Sequence, residues 1–533
     1  MPFTDCAPRR RAVVLAASLA PASALAGPPA AGTAPAAAPE PAPEALADDA
    51  VAAGENHHYK ALHRTRLGSF ALSFPASAQL GAETRGDVPV DTVGGVSERS
   101  ALLDTVVRVG AVVDAETRMA PLVARLEAEY DLFTGAVQGG NDALLDDRLV
   151  RPQDAEGHLR RAFARVGLAP FVMLGGGYTV NHWGLGLLAN DGVQSRRLGQ
   201  EGFAEPGAGD RVLRAQVSTG PWLSNGLVLS FAYDRVEDDD VLLAGDDATQ
   251  MIGALVYGHE RPNRLGFYAA RRHQTAADGQ ETNVTALDLY LRGELKGCAC
   301  GALWRGELEA AYVFGETELG PTTENATHDV AQLGVAARLE FDAHRWGVST
   351  DLVYASGDGN FDDGAQHGFK ADPGFSEGLL LFRQVLAAQT ARGADRAADP
   401  ELIGRPSEDL DRFPTRGQLT NTWLAAPQFF VRPIQGLLVH AGPTVAFSDA
   451  PIADPRESRL GGGTPRNALG GEPGHYLGTE LTLGARQHTL LWGSRLSAGI
   501  TGAYFLPGSA FDDANGAGMD ALFGARLDVR YAL

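Results

Sequence analysis

The most regular signal in this chain has a period of two. In "FALSFPASAQL", residues Phe70, Leu72, Phe74, Ala76, Ala78 and Leu80 share one face. In "TALDLYLRGELKG", Leu287, Leu289, Leu291 and Leu295 fall opposite Asp288, Arg292, Glu294 and Lys296. "LWRGELEAAYVFG" sets Trp304, Leu308, Tyr312 and Phe314 against Arg305, Glu307 and Glu309. "QLGVAARLEFDA" sets Leu333, Val335, Leu339 and Phe341 against Arg338, Glu340 and Asp342. "FGARLDVRYAL" closes the chain with Phe523, Leu527, Val529, Tyr531 and Leu533 against Arg526, Asp528 and Arg530. Such alternation describes strands with one apolar and one wet face.

Extended along the chain, the pattern predicts about 18 strands. They lie at 66–80, 101–113, 117–131, 157–167, 170–182, 210–220, 225–236, 249–259 and 263–274. The others lie at 282–296, 302–316, 329–342, 345–357, 420–432, 435–448, 475–488, 494–506 and 521–533. Connections after even-numbered strands are short, such as "DAET", "GLAP", "ERPN" and "DAH". Those after odd-numbered strands are long, notably 183–209 and 358–419, and carry acidic clusters such as "EDDD". A secreted sandwich or solenoid would use shorter strands, typically about five or six residues. It would not sustain this alternation of connection length. The expected fold is therefore all-β: a transmembrane antiparallel β-barrel with short periplasmic turns and long extracellular loops. Hydrocarbon tolerates no unpaired backbone polar group, so a membrane sheet must close. A barrel of this strand number encloses an aqueous interior.

Composition refines this expectation at the edges. Arg9, Arg10 and Arg11 precede a short apolar run ending in Ala24-Leu25-Ala26, which reads as a cleaved signal peptide over 1–26. Residues 27–60 are Ala/Pro-rich and are expected to form a periplasmic linker, leaving 61–533 as the barrel. The formal net charge of −21 argues against nucleic-acid binding.

The candidate chemistry lies inside the barrel. The register points Arg125, Glu127, Glu129, Arg214, Asp288, Arg292, Glu294, Arg305, Glu307, Glu309, Arg338, Glu340, Arg526, Asp528 and Arg530 into the lumen. Acids and bases are nearly balanced there, which suits cross-strand ion pairs better than a ring of one sign. "VNHWGLGLLAND" matches the G-x-G-x-x-G/A spacing of a dinucleotide turn, yet no helix or parallel strand follows it. Its glycines instead let the chain bend off a strand. We assign His182, Trp183, Gly184, Gly186, Asn190 and Asp191 to an inward-folding constriction loop, with Trp183 as a rim or girdle aromatic. The apolar run in 358–419, "GLLLFRQVLAAQTARGAD", is expected to be partly helical and to fold over or into the pore. Asp358, Asn360 and Asp362 offer oxygens at alternate positions and form a weak Ca²⁺ candidate, lacking the later glycine and glutamate of a full loop. No other cofactor is expected, and no catalytic constellation stands out. Cys298 and Cys300 share one short turn, as a strained pair or free thiols; His57, His58 and His63 precede the first strand.

The stretches "MLGGGYTVNHWGLGLLANDG", "GDRV", "YASGDGN", "GFSEGLLLFRQVL" and "NTWLAAPQFFVRPIQGLLVHAGPTVAFSDAP" resemble the large bacterial outer-membrane porins of the alginate-export-like group, in an uncharacterised branch. The resemblance implies an 18-stranded channel passing polysaccharide or small solutes; the usual aromatic C-terminal residue is replaced by Leu533. The balanced lumen charges do not suit a polyuronate. The leading expectation is a passive channel for small hydrophilic solutes or oligosaccharides in the outer membrane of a Gram-negative bacterium. The others are a polysaccharide-export conduit and a non-conducting structural or adhesive barrel. Expected partners are outer-membrane lipid and lipopolysaccharide, the barrel-assembly machinery and a small polar solute, with the protein acting as a monomer.

Overall fold

The computed structural model describes residues 64–98, 101–116, 122–139, 155–168, 171–193, 198–200, 202–222, 226–259, 261–297, 302–320, 322, 324–360 and 363–533. Twenty-one strands form one sheet; three are short, at Arg64–Leu67, Phe70–Ser73 and Ala365–Gln366. The remaining strands are β1 (Ala76–Arg85), β2 (Leu102–Glu116), β3 (Leu122–Gln138), β4 (Glu156–Leu168), β5 (Val172–Val180) and β6 (Arg211–Trp222). Next come β7 (Leu227–Asp238), β8 (Asp247–Tyr257), β9 (Arg264–Thr275), β10 (Glu281–Lys296), β11 (Leu303–Thr317) and β12 (His328–Asp342). The last are β13 (Trp346–Ala355), β14 (Thr422–Val431), β15 (Leu437–Phe447), β16 (Tyr476–Leu491), β17 (Ser494–Pro507) and β18 (Leu522–Ala532). Each pairs antiparallel with its neighbour in sequence, and β18 pairs with β1 from Gly524↔Arg85 to Ala532↔Ser77. The result is a closed 18-stranded antiparallel barrel.

The outer face is apolar. Leu80, Phe231, Met251, Leu295, Leu339, Leu483 and Ile500 all stand exposed on it, while charged members of the same strands such as Asp234, Arg292 and Glu480 point inward and are buried. That polarity suits hydrocarbon outside and water within. Aromatic rings collect at both ends of the wall. Trp304, Phe341, Trp346 and Phe429 form one chain, with successive centroids 4.6, 5.5 and 6.2 Å apart. At the opposite end, Tyr354 meets Trp423 at 4.2 Å and Phe447 meets Tyr476 at 5.1 Å. These are the two interfacial girdles of a membrane barrel.

Two predicted strands differ in detail. The first, placed at 66–80, is broken by Phe74-Pro75. Proline has no N–H to give the ladder, and only its carbonyl is used, by Gly110 N at 2.7 Å. Phe70–Ser73 pairs lower on β2 and turns at Gly68 into a hairpin with Arg64–Leu67, while β1 runs on to Arg85. The third, placed at 117–131, reaches Gln138 through a bulge between Asp131 and Thr134. Leu132 and Phe133 therefore both face outward, interrupting the period of two that the sequence reading followed. At the β16–β17 turn, Trp492 and Gly493 both take positive φ (54° and 80°), the geometry of a tight two-residue hairpin.

Candidate functional site

Two loops fold into the barrel and fill part of it. The first follows β5 and covers residues 181–210. Gly184 and Gly186 adopt φ of +55° and +83°, so the chain curls until its amides face the wall. The Glu309 carboxylate on β11 accepts bonds from Leu185 N, from Leu187 N at 3.1 Å and from Leu188 N at 3.4 Å. A Cβ on Gly184 would lie 2.5 Å from Glu309 Oε2, so the close approach demands glycine. The motif that imitates a phosphate loop thus wraps its amides around an acidic side chain of the barrel's own wall, using the carboxyl oxygens as acceptors. Leu185 and Leu187 are buried in the interior apolar cluster. Trp183 is not a rim or girdle residue: its Nε1 donates to Asp288 Oδ1 at 2.8 Å on the inner face of β10. The indole lies against Gly266 of β9, where any Cβ would sit 2.8 Å from the ring. The space that Gly266 leaves on β9 is what lets the ring turn inward.

The second loop, 356–421, carries a π-helix at Leu381–Leu386 followed by α1 (Ala387–Ala398). The Glu480 carboxylate on β16 accepts from Leu379 N at 2.5 Å, Leu380 N at 2.9 Å and Leu381 N at 3.2 Å, satisfying amides at the helix start. Phe375, Leu379, Leu380, Leu381, Phe382 and Val385 then pack against Leu424, Ala446, Ala503 and Phe505 from the wall. The loops also hold each other. Asn190 N donates to Asp372 Oδ2 at 2.9 Å, and Asp372 N to Leu187 O at 2.9 Å. Arg383 grips Glu205 in a bidentate pair at 3.1 and 2.9 Å. Asp191 lies 3.7 Å from His182 Nδ1. Burial alone would raise the Asp191 carboxyl, but the cations of His182 and Arg160 and the Val193 amide hold it down at about 2.

The lumen charges sort into two networks. On one wall Arg526 bonds Glu83 at 3.2 Å, Asp104 at 2.7 Å and Asp528 at 2.9 Å. Arg125 reaches Glu127 and, at 3.1 Å, Asp114; Arg161 reaches Glu127 at 3.4 Å and Glu129 at 3.9 Å. Arg530 donates to Gly202 O in the first loop. On the other wall Arg292, Glu294, Arg305 and Glu340 form a chain of contacts at 2.7, 3.2 and 3.3 Å. Arg338 pairs with Asp351 at 2.6 Å, Glu307 accepts from Tyr290 Oη at 2.8 Å, and Arg214 pairs with Asp234 at 2.6 Å. The expected lumen residues thus share the inner face, but many of them, Glu127, Asp288, Arg292, Glu309, Arg526 and Asp528 among them, are sealed beneath loops or neighbours rather than open to solvent. Sequence reasoning missed Glu83, Arg85, Asp104, Arg108, Arg160 and Glu205. Apolar neighbours on both faces of β2 hid Asp104 and Arg108. A bulge beside Arg160 hid that residue, the short first strand hid Glu83 and Arg85, and Glu205 lies in a loop where no strand register applies.

The loops lean to one side. Inward residues of β14 to β18 and β1, such as Leu424, Ala446, Ala503 and Gln79, are buried under them. Inward residues on β4 to β9, such as Arg165, Gly175, Gln216, Ser230, Gln250 and Tyr268, keep partial exposure. A polar strip of wall therefore stays wet beside the plug. At the Ca²⁺ candidate, Asp358 spends its oxygens on Asn360 N and His367 N, each at 3.0 Å, and Asp362 lies outside the described residues. Among the described residues no group of three or more His, Cys, Asp or Glu could hold a metal. The signal and linker stretches, His57, His58, His63, Cys298 and Cys300 also lie outside them.

No family model matches the chain, and no curated protein does. Solved structures similar to it include OccK2 (OpdF) from Pseudomonas aeruginosa, at 11% identity over 87% of this chain and 97% of that one, TM-score 0.47. A BenF-like porin from Pseudomonas fluorescens has 9% identity over 88% and 99%, TM-score 0.47. OccAB1 from Acinetobacter baumannii has 8% identity over 87% and 96%, TM-score 0.47. Likeness at this level names neither a family nor a solute. The resemblance to alginate-export-like porins gains no support from it.

Proposed function

We propose that this protein is an outer-membrane channel for passive diffusion of small hydrophilic solutes, up to oligosaccharides. The observation that carries this reading is the wet strip on β4 to β9 beside two loops bonded to the inner wall through Glu309 on β11 and Glu480 on β16. An apolar outer face places the barrel in a bilayer, an ion-paired inner face lets water enter, and the loops reduce a wide bore to a narrow one. One chain closes the barrel, which supports a monomeric channel. A polymer-export conduit is the poorer reading, because it needs the bore that the loops occupy. Reconstituted protein in planar bilayers should give discrete, long-lived current steps in concentrated KCl. A correctly folded barrel that carries no current would refute the channel.

A further inference from the structure

We infer that the wall around Trp183 and Tyr268 is a binding subsite for a neutral sugar. The inference gives the proposed channel a solute class and rests on that reading only for how solute arrives. Trp183 packs on the barrel wall because Gly266 leaves room for the ring. Its edge is pinned by the bond to Asp288, and its centroid is 5.3 Å from that of Tyr268, with the planes tilted by 38°. Both rings keep partial exposure to the lumen. Two aromatic faces fixed side by side on a wet wall suit the apolar C–H face of a pyranose.

The row beside Tyr268 supplies the rest. Register runs from Tyr268 to Ala254 on β8 and on to Ser230 on β7. Adjacent strands are about 4.8 Å apart, so Tyr268 and Ser230 stand about 10 Å apart, roughly the span of one sugar ring with its hydroxyls. Ala254 between them is small and leaves the floor open. Ser230 Oγ already accepts from Gln216 Nε2 at 2.9 Å, and the Gln216 carbonyl and Ser230 hydroxyl proton remain to serve a ligand. Above them, Arg214 Nε and Nη2 are occupied by Asp234 at 2.7 and 2.6 Å. The guanidinium charge is thereby matched, while the group can still donate from its third nitrogen. This surface offers stacking and hydrogen bonds with little net charge. A neutral polyol fits it better than a carboxylate or an amine.

Two readouts on the purified full chain test this. Maltose and raffinose should quench or shift tryptophan fluorescence in detergent, with half-saturation in the millimolar range typical of a transit site; succinate at equal concentration should not. Trp183→Phe should abolish the optical response. In bilayers the same sugars should add current noise or block. Tyr268→Ala should raise the half-blocking concentration about tenfold, the equivalent of ~1.4 kcal/mol, whereas Tyr268→Phe should change it little. Ala254→Leu, which fills the floor while leaving both aromatic residues in the chain, should weaken block even if Tyr268→Ala folds poorly. A channel that conducts but shows neither optical response nor block by sugar overturns the subsite, as does block by succinate in preference to maltose. An optical response without conduction supports the subsite and removes the channel.

Discussion

Gly184→Val places a branched side chain where the structure has neither the backbone geometry nor the space for one. At φ of +55° an L-residue carries a penalty of roughly 1–2 kcal/mol, with β-branching adding to it. The new Cβ would begin 2.5 Å from Glu309 Oε2, 2.8 Å from its Cδ and 3.1 Å from Tyr290 Cδ2. Glu309 is fully buried and cannot swing aside, so the loop must move. A shift of about an ångström breaks its bonds to Leu185, Leu187 and Leu188. Hydrogen bonds contribute about 0.5–1.5 kcal/mol each, and a buried amide left without an acceptor costs about 1–3 kcal/mol, so the segment loses several kcal/mol in all. The Asn190–Asp372 contact cannot offset that, and the segment should undock. The barrel ladder should survive, because Gly184 lies in no strand. We expect single-channel conductance to rise to about twice the parent value or more, and proteases to cleave near residue 190. Gly207→Ala is the control: its φ is +72° but nothing lies within 4 Å of the added Cβ, so strain is present without a clash. If Gly184→Val is folded and matches the parent in both conductance and cleavage, the docking of this loop on Glu309 does not set the pore.

The second anchor makes a parallel case. Glu480→Ala removes the acceptor for three amides, and should release 378–386 and increase both conductance and open-channel noise. Arg383→Ala cuts the bidentate tie to Glu205, so it should add flicker without a large change in mean current. Asp454 caps the short helix Pro455–Leu460 through Arg456 N at 3.0 Å and Glu457 N at 2.8 Å. Burial raises its carboxyl to about 6, against the pull of the Glu457 amide. The folded protein therefore holds this proton more tightly than the unfolded chain, and the cap weakens as pH rises from about 4 through 6. Asp454→Asn should slow hydrogen exchange in 448–475 at pH 7 and give no gain at pH 4. Leu483→Arg, on the exposed outer face of β16, should cost about 2–4 kcal/mol of stability in lipid if that face meets hydrocarbon; a negligible cost would argue against membrane burial of this wall.

Most of the barrel could be read from sequence because its physics is local. A period of two, repeated where Leu287 to Lys296 and Trp304 to Phe314 run, is set by the pleat and by the contrast between lipid and water. The closing pair, the strand order and the alternation of connection length follow from the same source. What escaped depended on a distant partner. Leu132 and Phe133 both face outward only because β3 bulges against β4. Trp183 turned inward because a glycine stands on β9 beneath it, far away in sequence. Glu309 and Glu480 read simply as members of alternating strands; nothing beside them announces the loop amides they receive. The inward course of "WGLGLL" and "GLLLFRQVL" was suggested by apolar residues unsuited to an exposed loop, but the anchors were not.

The second loop also has a mechanical consequence. Every neighbouring pair of strands is joined covalently by a turn or loop except β18 and β1, where hydrogen bonds alone close the cylinder. Loop 356–421 straddles that seam. It is held by Glu480 on β16, packs Leu380 over Gly524 on β18, and sends Gln384 to Glu83 and Arg85 on β1. Arg526 bonds Glu83 across the same join. The segment that narrows the bore is thus also a rivet across the one uncovalent joint in the hoop. Enlarging the opening by freeing this loop would loosen the joint as well, so aperture and hoop strength cannot be adjusted independently on this side of the barrel.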